Sequence, residues 1–549
     1  MDGHDAVIEL LDAEGVDTIF TLMSEDTMAL MSELEEEWQN RIRMVKTRHE
    51  QGAMAMADGY ARSNDEFGVC MVGRGPAVAQ TGNAMVTARK KGSDVLVIVP
   101  ETSLSAEYDI KEFEQGEYLR STIGNVVSVR SEETLVPKLE RAIRELKVGD
   151  GPLAVQIPWD VLDGSADVSG EIEPVETPRT GGRLHPDPDD VERAVDLYVE
   201  SDAFQPPVVL AGRGAVESEA REALEALAGR TSALLTTSLQ GRNYFEDHPF
   251  YLGFNGEWGT NLANRYTSEA DLVFAFGASL NPYTTDDGHV FGEETRVIHV
   301  DNDPERIGRY ADVTLGIEGD ARVTAEALTE ELRRRGIDRD GELWSDDIRE
   351  TIAEASPMND REYPETPGTV DPRELVSELN ELLPDRKEVV TDGGHLTRWV
   401  MDGIHTPPED FTFTLDFASI GLGLPMGIGT AVAADKPCVT VCGDAGLMMS
   451  IQELETAVRN GVPMTVVVMN DGSLNSEYHS LEARGEEPGV ALVEAPDFAP
   501  VAESLGAEGR TVRSIEQLRE LEEELGAAPE GPLVVDCKVN HLVKHRSKR

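Results

Sequence analysis

Asp444 and Asp471 are the residues whose surroundings most directly suggest chemistry. They lie in VTVCGDAGLMMSIQELETAVRNGVPMTVVVMNDGS, residues 439–473. A β-rich run over 439–442 ends in Gly443-Asp444. Apolar Ile451, Leu454 and Val458 then recur at helical spacing until Gly461 and Pro463 close the helix. A second run, 464–469, delivers Asn470-Asp471-Gly472. This order makes a βαβ unit. Its right-handed crossover lays the strands parallel, so both aspartates leave the sheet at its carboxyl edge, where ligands of open α/β sheets bind. Two carboxylates beside small residues can hold a hard cation. Mg²⁺ takes one or two protein carboxylates and completes its shell with phosphate, water or backbone carbonyl oxygens. A helix opening after Gly446 would aim backbone N–H groups at the same phosphates. The stretch reads as a diphosphate and Mg²⁺ cradle, against the plainer reading that each Asp caps a helix or turn.

The elements that must position these groups alternate along the whole chain. Helix patterns at 5–14, 28–38 and 78–90 are interleaved with strand patterns at 18–22, 42–45, 68–72 and 94–99, which predicts a doubly wound parallel sheet. Residues 163–190, rich in Gly, Pro, Ser and acid, read as a linker. Strand patterns at 207–210, 234–237, 271–276 and 297–300 then predict a Rossmann-like middle domain. A second acidic, Pro-containing stretch, 337–370, leads on to strands at 388–391, 439–442, 464–469 and 533–537. The expected fold class is α/β, with three doubly wound parallel-sheet domains over 1–165, 188–336 and 370–542.

The 439–473 stretch resembles the GDG…NN signature of thiamine diphosphate (ThDP) dependent enzymes. The resemblance implies Mg²⁺ ligands at Asp444, Asp471 and the backbone carbonyl of Ser473, with Gly443, Ala445 and Gly446 beside the diphosphate. Ala445 stands where the family usually has Gly, and Asp471 where it usually has Asn; both keep the turn and the oxygen ligand. RHEQGAMAMADGYARS, from Arg48, resembles the corresponding segment of the acetolactate synthase branch. That implies a catalytic Glu50 whose carboxyl meets N1′ of the aminopyrimidine, so that the 4′ nitrogen can take the C2 proton of the thiazolium. A lone Glu there would otherwise read as a residue favoured by the helix dipole. His49 and Gln51 line the substrate side or are packed structure. Gly73-Arg74-Gly75-Pro76 takes the place of the family's SGPG turn, with Gly75 letting backbone approach the cofactor and Arg74 left as cofactor-side or surface charge. In Asp392-Gly393-Gly394-His395, Gly394 and His395 would meet the diphosphate end. ASIGLGLPMGIGTAV, from Ala418, implies that Ile420 props the cofactor in its bent shape. Tyr478 and His479 face substrate or solvent. The cofactor set implied is ThDP and Mg²⁺. FAD stays open in the middle domain, where Gly212-Arg213-Gly214 is a weak turn signal and a structural spacer is favoured. The resemblance also names the domains as pyrimidine-binding, central and diphosphate-binding. The cofactor would bridge two subunits, in a homodimer or homotetramer.

Composition narrows the partners. With 104 acidic against 49 basic residues the formal charge is −55, spread along the chain. Such a surface repels nucleic acid and anionic membranes and fits a high-salt medium that screens self-repulsion. Cys70, Cys438, Cys442 and Cys537 sit in apolar runs and read as buried thiols. The N-terminus MDGHDAVIELL lacks a basic region and an apolar signal core, and no apolar run is long enough to span a bilayer. A cytoplasmic protein is expected.

The reaction the resemblance implies is decarboxylation of a 2-oxo acid with carboligation to a second carbonyl. The segment from Thr21 to Asp26 replaces the synthase's glycine-rich loop, and its acidity would repel a second carboxylate substrate. Simple decarboxylation, or ligation to an uncharged aldehyde, therefore stays open. So does ThDP-dependent C–C hydrolysis, and a non-catalytic nucleotide-binding protein is the remaining alternative.

Overall fold

Short strands of Val, Leu, Ile and Thr, most of them buried, form three six-stranded sheets in the computed structural model. It describes residues 1–545 apart from 65, 150, 167, 169, 171, 178–181, 202–204 and 340. The first sheet holds β1 (Thr18–Thr21), β2 (Arg43–Lys46), β3 (Gly68–Met71), β4 (Val95–Glu101), β5 (Asn125–Ser128) and β6 (Leu153–Pro158). The second holds β7 (Val208–Ala211), β8 (Leu234–Thr237), β9 (Tyr251–Phe254), β10 (Leu272–Phe276), β11 (Arg296–Asp301) and β12 (Leu315–Glu318). The third holds β13 (Glu388–Thr391), β14 (Phe411–Phe413), β15 (Cys438–Gly443), β16 (Met464–Asn470), β17 (Glu508–Val512) and β18 (Pro532–Lys538). Every strand pairing is parallel, as in β15 on β16 and β4 on β6. The expected three-sheet α/β fold is what forms.

Strand order locates the sites. The first sheet runs β2-β1-β3-β4-β6-β5 and the third β14-β13-β15-β16-β18-β17, the same permutation. The order reverses between β1 and β3, and again between β13 and β15, and ligands settle in the crevice opened by such a reversal. The second sheet, β12-β11-β10-β7-β8-β9, read backwards has the 3-2-1-4-5-6 order of dinucleotide-binding folds. Its Gly212 and Gly214 pack against Gly277, where a Cβ at Gly212 would collide with the Gly277 carbonyl. That contact accounts for these glycines without a ligand.

The first and third sheets belong to one compact unit and share a core; the second forms another unit. The small residues of GAMAMADGYAR let the helix Glu50–Arg62 lie directly on the helix Gly423–Ala433. A Cβ at Gly59 would strike the Met426 carbonyl, and one at Gly429 the Met56 carbonyl. Arg62 closes this contact, its Nε 2.7 Å from Asp58 and Nη1 2.9 Å from Asp416.

Several local expectations change. The expected 78–90 helix is two, Pro76–Gln80 and Gly82–Lys91, interrupted at Thr81, whose hydroxyl donates to the Val78 carbonyl at 2.7 Å. The 28–38 helix widens into a π-turn over Leu34–Trp38. The acidic 337–370 stretch contains a helix, Asp346–Glu354, capped by Ser345 and packed through Ile348 and Ile352, an apolar pair one turn apart within the acidic run. In the 163–190 stretch, residues 167, 169, 171 and 178–181 lie outside the described residues, and a helix begins at Pro188. All four cysteines are buried and free. No helix among the described residues is long and apolar enough to cross a membrane.

Candidate active site

The register of β15 on β16 pairs Gly443 with Met469, so Asp444 and Asp471 emerge side by side just beyond the strands. The helix after β15 starts at Asp444, three residues earlier than the glycine pattern suggests, because extended Gly443 turns the chain straight into helix. It stops at Ser450, and a second segment runs over Glu453–Arg459. Asp444 is 3 % exposed and accepts backbone N–H groups of Ala445 and Gly472. The Asp471 carboxylate accepts the Ser473 N–H at 2.9 Å and hydroxyl at 2.7 Å. Burial pushes Asp444 up to about 6, and burial together with the Asp444 charge pushes Asp471 up to about 7. Neither pairs with a Lys or Arg among the described residues, and buried Asp536 adds a further negative neighbour. Ser473 bridges to Leu492 through the Gly472 carbonyl and the Leu474 N–H, which leaves its own carbonyl outside that pairing. Two desolvated carboxylates with no Lys or Arg partner among the described residues are an oxygen donor set that fits a divalent hard cation. Three close side-chain ligands occur among the described residues only at Asp2, His4 and Asp5 near the N-terminus.

Asp392, a turn residue by sequence pattern alone, organises the rest of this edge. It follows β13 at the strand-order reversal and is fully buried. Its carboxylate accepts the Gly421 N–H at 2.8 Å, the Gly393 N–H at 2.9 Å and the Thr414 hydroxyl at 3.1 Å. Burial pushes its pKa up and these hydrogen bonds oppose the rise. The loop carrying Ile420 is thereby tied to the sheet edge, with half-buried Ile420 against Gly393. Gly446 has no room for a Cβ because the Asp392 carboxylate lies beneath it. A strand-terminal Asp before two glycines was the signal available in the sequence.

Gly394, at φ +124°, caps the helix His395–Gly403. The buried His395 ring meets Trp399 edge-on at 5.4 Å and lies 5.1 Å from His479. His479 belongs to the helix Asn475–Arg484, and burial, with the Lys544 charge second, pushes it down to about 4. Tyr478 packs between His479 and His541, at 5.4 and 5.2 Å. Neither ring is simply solvated.

In the first sheet, Glu50 is the first residue of its helix, and the His49 ring nitrogen caps it by accepting the Gln51 N–H at 3.1 Å. Glu50 itself is half-buried. Gly75, at φ +65°, faces the chain's own 109–111 loop: its N–H donates to Gln115 at 2.9 Å, and a Cβ would strike the Lys111 carbonyl. Arg74 is no surface charge. It is 10 % exposed and pairs with Asp26 and, at 2.8 Å, with Asp109; Lys111 lies 3.2 Å from Asp26. The acidity of the 21–26 loop is thus largely balanced from within. A cleft of about 780 Å³ beyond β4–β6, lined by Glu101, Asp109, Gln115, Arg130 and Gln156 among others, contains none of the predicted site residues.

The geometry therefore gathers Asp444, Asp471, Ser473, Gly443, Ala445, Gly446, Gly394, His395 and Ile420 at the carboxyl edge of the third sheet, with Glu50 and Gly75 at that of the first. Three family models match the chain. Residues 1–121 match the N-terminal TPP binding domain of thiamine pyrophosphate enzymes, 193–328 their central domain and 392–537 their C-terminal TPP binding domain. A probable acetolactate synthase large subunit of Methanocaldococcus jannaschii is 30 % identical over 544 residues, covering 95 % of this chain and 89 % of that one. The chain belongs to the thiamine pyrophosphate (ThDP) enzyme family. Similarity within the family is broad. The acetolactate synthase isozyme 2 large subunit of Escherichia coli is 26 % identical, covering 99 % of this chain and 96 % of its own. A sulfoacetaldehyde acetyltransferase of Alcaligenes xylosoxydans xylosoxydans is 27 % identical, covering 94 % and 89 %. As a ThDP enzyme of this kind, the chain has homologues that are acetolactate synthase-like and others that carry an acetyltransferase name.

Proposed function

We propose that this ThDP enzyme requires Mg²⁺, decarboxylates a 2-oxo acid and joins the retained carbons to a second carbonyl, as an acetolactate synthase-like carboligase. The observation that carries the reading is the pair Asp444 and Asp471, desolvated and without a cationic partner at the edge where Ser473 offers its carbonyl. Those three groups would hold Mg²⁺. Backbone at Gly394, His395, Gly443, Ala445 and Gly446 would take the diphosphate, Ile420 would support the bend between the rings, and Gly75 would border the pyrimidine side. Bound there, ThDP supplies the electron sink for the carbons left when CO₂ departs. The Glu50 carboxyl would hold the proton shared with N1′ of the pyrimidine, as general acid–base work requires. Arg74 and Lys111 balance the 21–26 loop, so a carboxylate-bearing acceptor is not repelled there.

Apolar side chains stand exposed near both edges, Tyr108 and Ile110 on the first-sheet side and Met448, Met449 and Phe417 on the third. Such patches suit burial against a second copy of the chain, which supports a homodimer or a dimer of dimers. The high-salt cytoplasm inferred from the acidic surface belongs to the same proposal, and so does a central domain without flavin. The test is purification in high salt with ThDP and Mg²⁺, then a screen of pyruvate, 2-oxobutyrate, branched and aromatic 2-oxo acids for CO₂ and condensed product. CO₂ with a hydroxy-oxo acid product is expected. CO₂ with aldehyde alone would replace ligation by simple decarboxylation, and C–C cleavage without CO₂ would replace both by hydrolysis. Sulfoacetaldehyde belongs in the same screen, because acetyltransferases named for it are as similar as several of the synthases.

A further inference from the structure

The crossover that carries Asp444 also reaches the first domain. Glu453 opens its second helical segment and is fully buried. Its carboxylate does not turn back into the third domain alone. Oε2 accepts the Thr456 hydroxyl at 2.8 Å, and the two oxygens lie 3.1 and 3.3 Å from the backbone N–H nitrogen of Arg48. The His49 N–H also donates to it. Gly52 completes the seat, since a Cβ there would lie 2.6 Å from Glu453 Oε1. One carboxylate from the third domain is therefore pressed against residues 48, 49 and 52, around Glu50. Arg48 Nε to Glu455 at 2.6 Å, Arg43 to the Asn460 carbonyl at 2.6 Å and Arg459 to the Lys46 carbonyl bind the rest of the segment to β2 and to the turn that leads into the Glu50 helix.

We propose that Glu453 is a positioning residue for Glu50: it fixes the backbone of residues 48–52 from the third domain, so that the element bearing Asp444 also sets the aim of the catalytic carboxyl. The inference rests on the assignment of Glu50 to ThDP given above. Glu453 touches no reacting atom. Its buried charge is compensated by the N–H groups at the start of the Glu50 helix, which gain a charged acceptor. Loss of that acceptor frees the turn before Glu50, and misplacement of a catalytic group by about 1 Å costs about 10²-fold in rate.

The test uses full-length wild type, Glu453→Ala, Glu453→Gln and Gly52→Ala, with three readouts. They are amide hydrogen exchange of the 47–53 peptide in the protein without cofactor, the affinity for ThDP with Mg²⁺, and the rate of C2–H exchange of bound ThDP followed by NMR. Glu453→Ala should speed amide exchange at 47–53 and slow C2–H exchange by about 10²-fold, with ThDP affinity within about threefold of wild type. Glu453→Gln, which keeps one acceptor oxygen, should restore most of both. Gly52→Ala should slow C2–H exchange in the same way, although Ala favours a helix, because its methyl displaces the carboxylate; it decides the matter if Glu453→Ala does not fold. Wild-type C2–H exchange in Gly52→Ala or in folded Glu453→Ala overturns the proposal, as does slowed exchange with unchanged amide protection at 47–53. If wild type itself fails to bind ThDP, the functional reading falls, and the amide readout alone still decides whether Glu453 holds the segment.

Discussion

Replacing Arg62 with Met should cost the compact unit formed by the first and third sheets about 3–5 kcal/mol. The magnitude follows from burial. The side chains of Arg62, Asp58 and Asp416 are 4 %, 1 % and 4 % exposed, and the guanidinium donates at 2.7 and 2.8 Å to Asp58 and at 2.9 Å to Asp416. Met fills much the same volume but leaves two carboxylates in a dry interface with no cation. The cost is that of stranded charge rather than of a cavity. One further variant separates these causes. Arg62→Met with Asp58→Leu and Asp416→Leu removes all three charges, and buried ionic groups replaced together by apolar ones are commonly neutral to stabilising by about 1–4 kcal/mol. Urea denaturation followed by circular dichroism measures each, as the midpoint shift multiplied by the slope. A single variant that loses less than about 1 kcal/mol would show the triad to be as weak as a surface pair. A triple variant as unstable as the single one would show that shape, not charge, matters there.

Other perturbations give distinct outcomes. Glu388, 5 % exposed, is pushed up to about 7, first by burial and then by Asp410. Its folded pKa lies above its unfolded one, so its contribution is complete below about 4.5 and is lost as pH rises through 7. Glu388→Gln should leave stability at pH 4 unchanged and flatten the decline between about pH 4.5 and 7, by up to about 3 kcal/mol; an equally steep decline in urea titrations would contradict this. His479 behaves in the opposite sense. Its folded pKa of about 4 is below the ordinary value, so its contribution is full above about 6.5 and is lost as pH falls toward 4. His479→Phe should retain more of its pH 7 stability at pH 4.5 than wild type does, and equal acid loss in thermal scans would refute it. With a formal charge of −55, the melting temperature should rise with KCl as the screening length shrinks from about 10 Å at 0.1 M to about 3 Å at 1 M. A flat or falling trend would remove the high-salt reading.

What was legible in the sequence was what local pattern and chirality decide. The runs at 234–237 and 388–391 form strands with those limits because β-branched and aliphatic residues between turn formers leave little choice. Asp444 and Asp471 could be set side by side because a βαβ crossover has one hand. What escaped depends on contacts between distant segments. Nothing near Glu453 announces that its carboxylate ends at the backbone of Arg48, 405 positions away. Nothing near Arg74 shows that Asp26 and Asp109 close on it, which is why the 21–26 loop reads as a bare acidic segment in one dimension. Asp392 looks like a turn residue until its hydrogen bond to Gly421 is seen. The crossover helix reads as continuous because Ile451, Leu454 and Val458 keep the helical period through the break after Ser450.

The central claim is that a cation held by Asp444, Asp471 and the Ser473 carbonyl fastens ThDP to the third sheet. Calorimetric titration of ThDP into metal-stripped protein, with and without Mg²⁺, tests it most directly. Saturable one-site binding with Mg²⁺, lost with chelator and lost in Asp444→Ala and Asp471→Ala, is the predicted result. Equal binding in the presence of chelator, or in folded Asp444→Ala and Asp471→Ala, would contradict it.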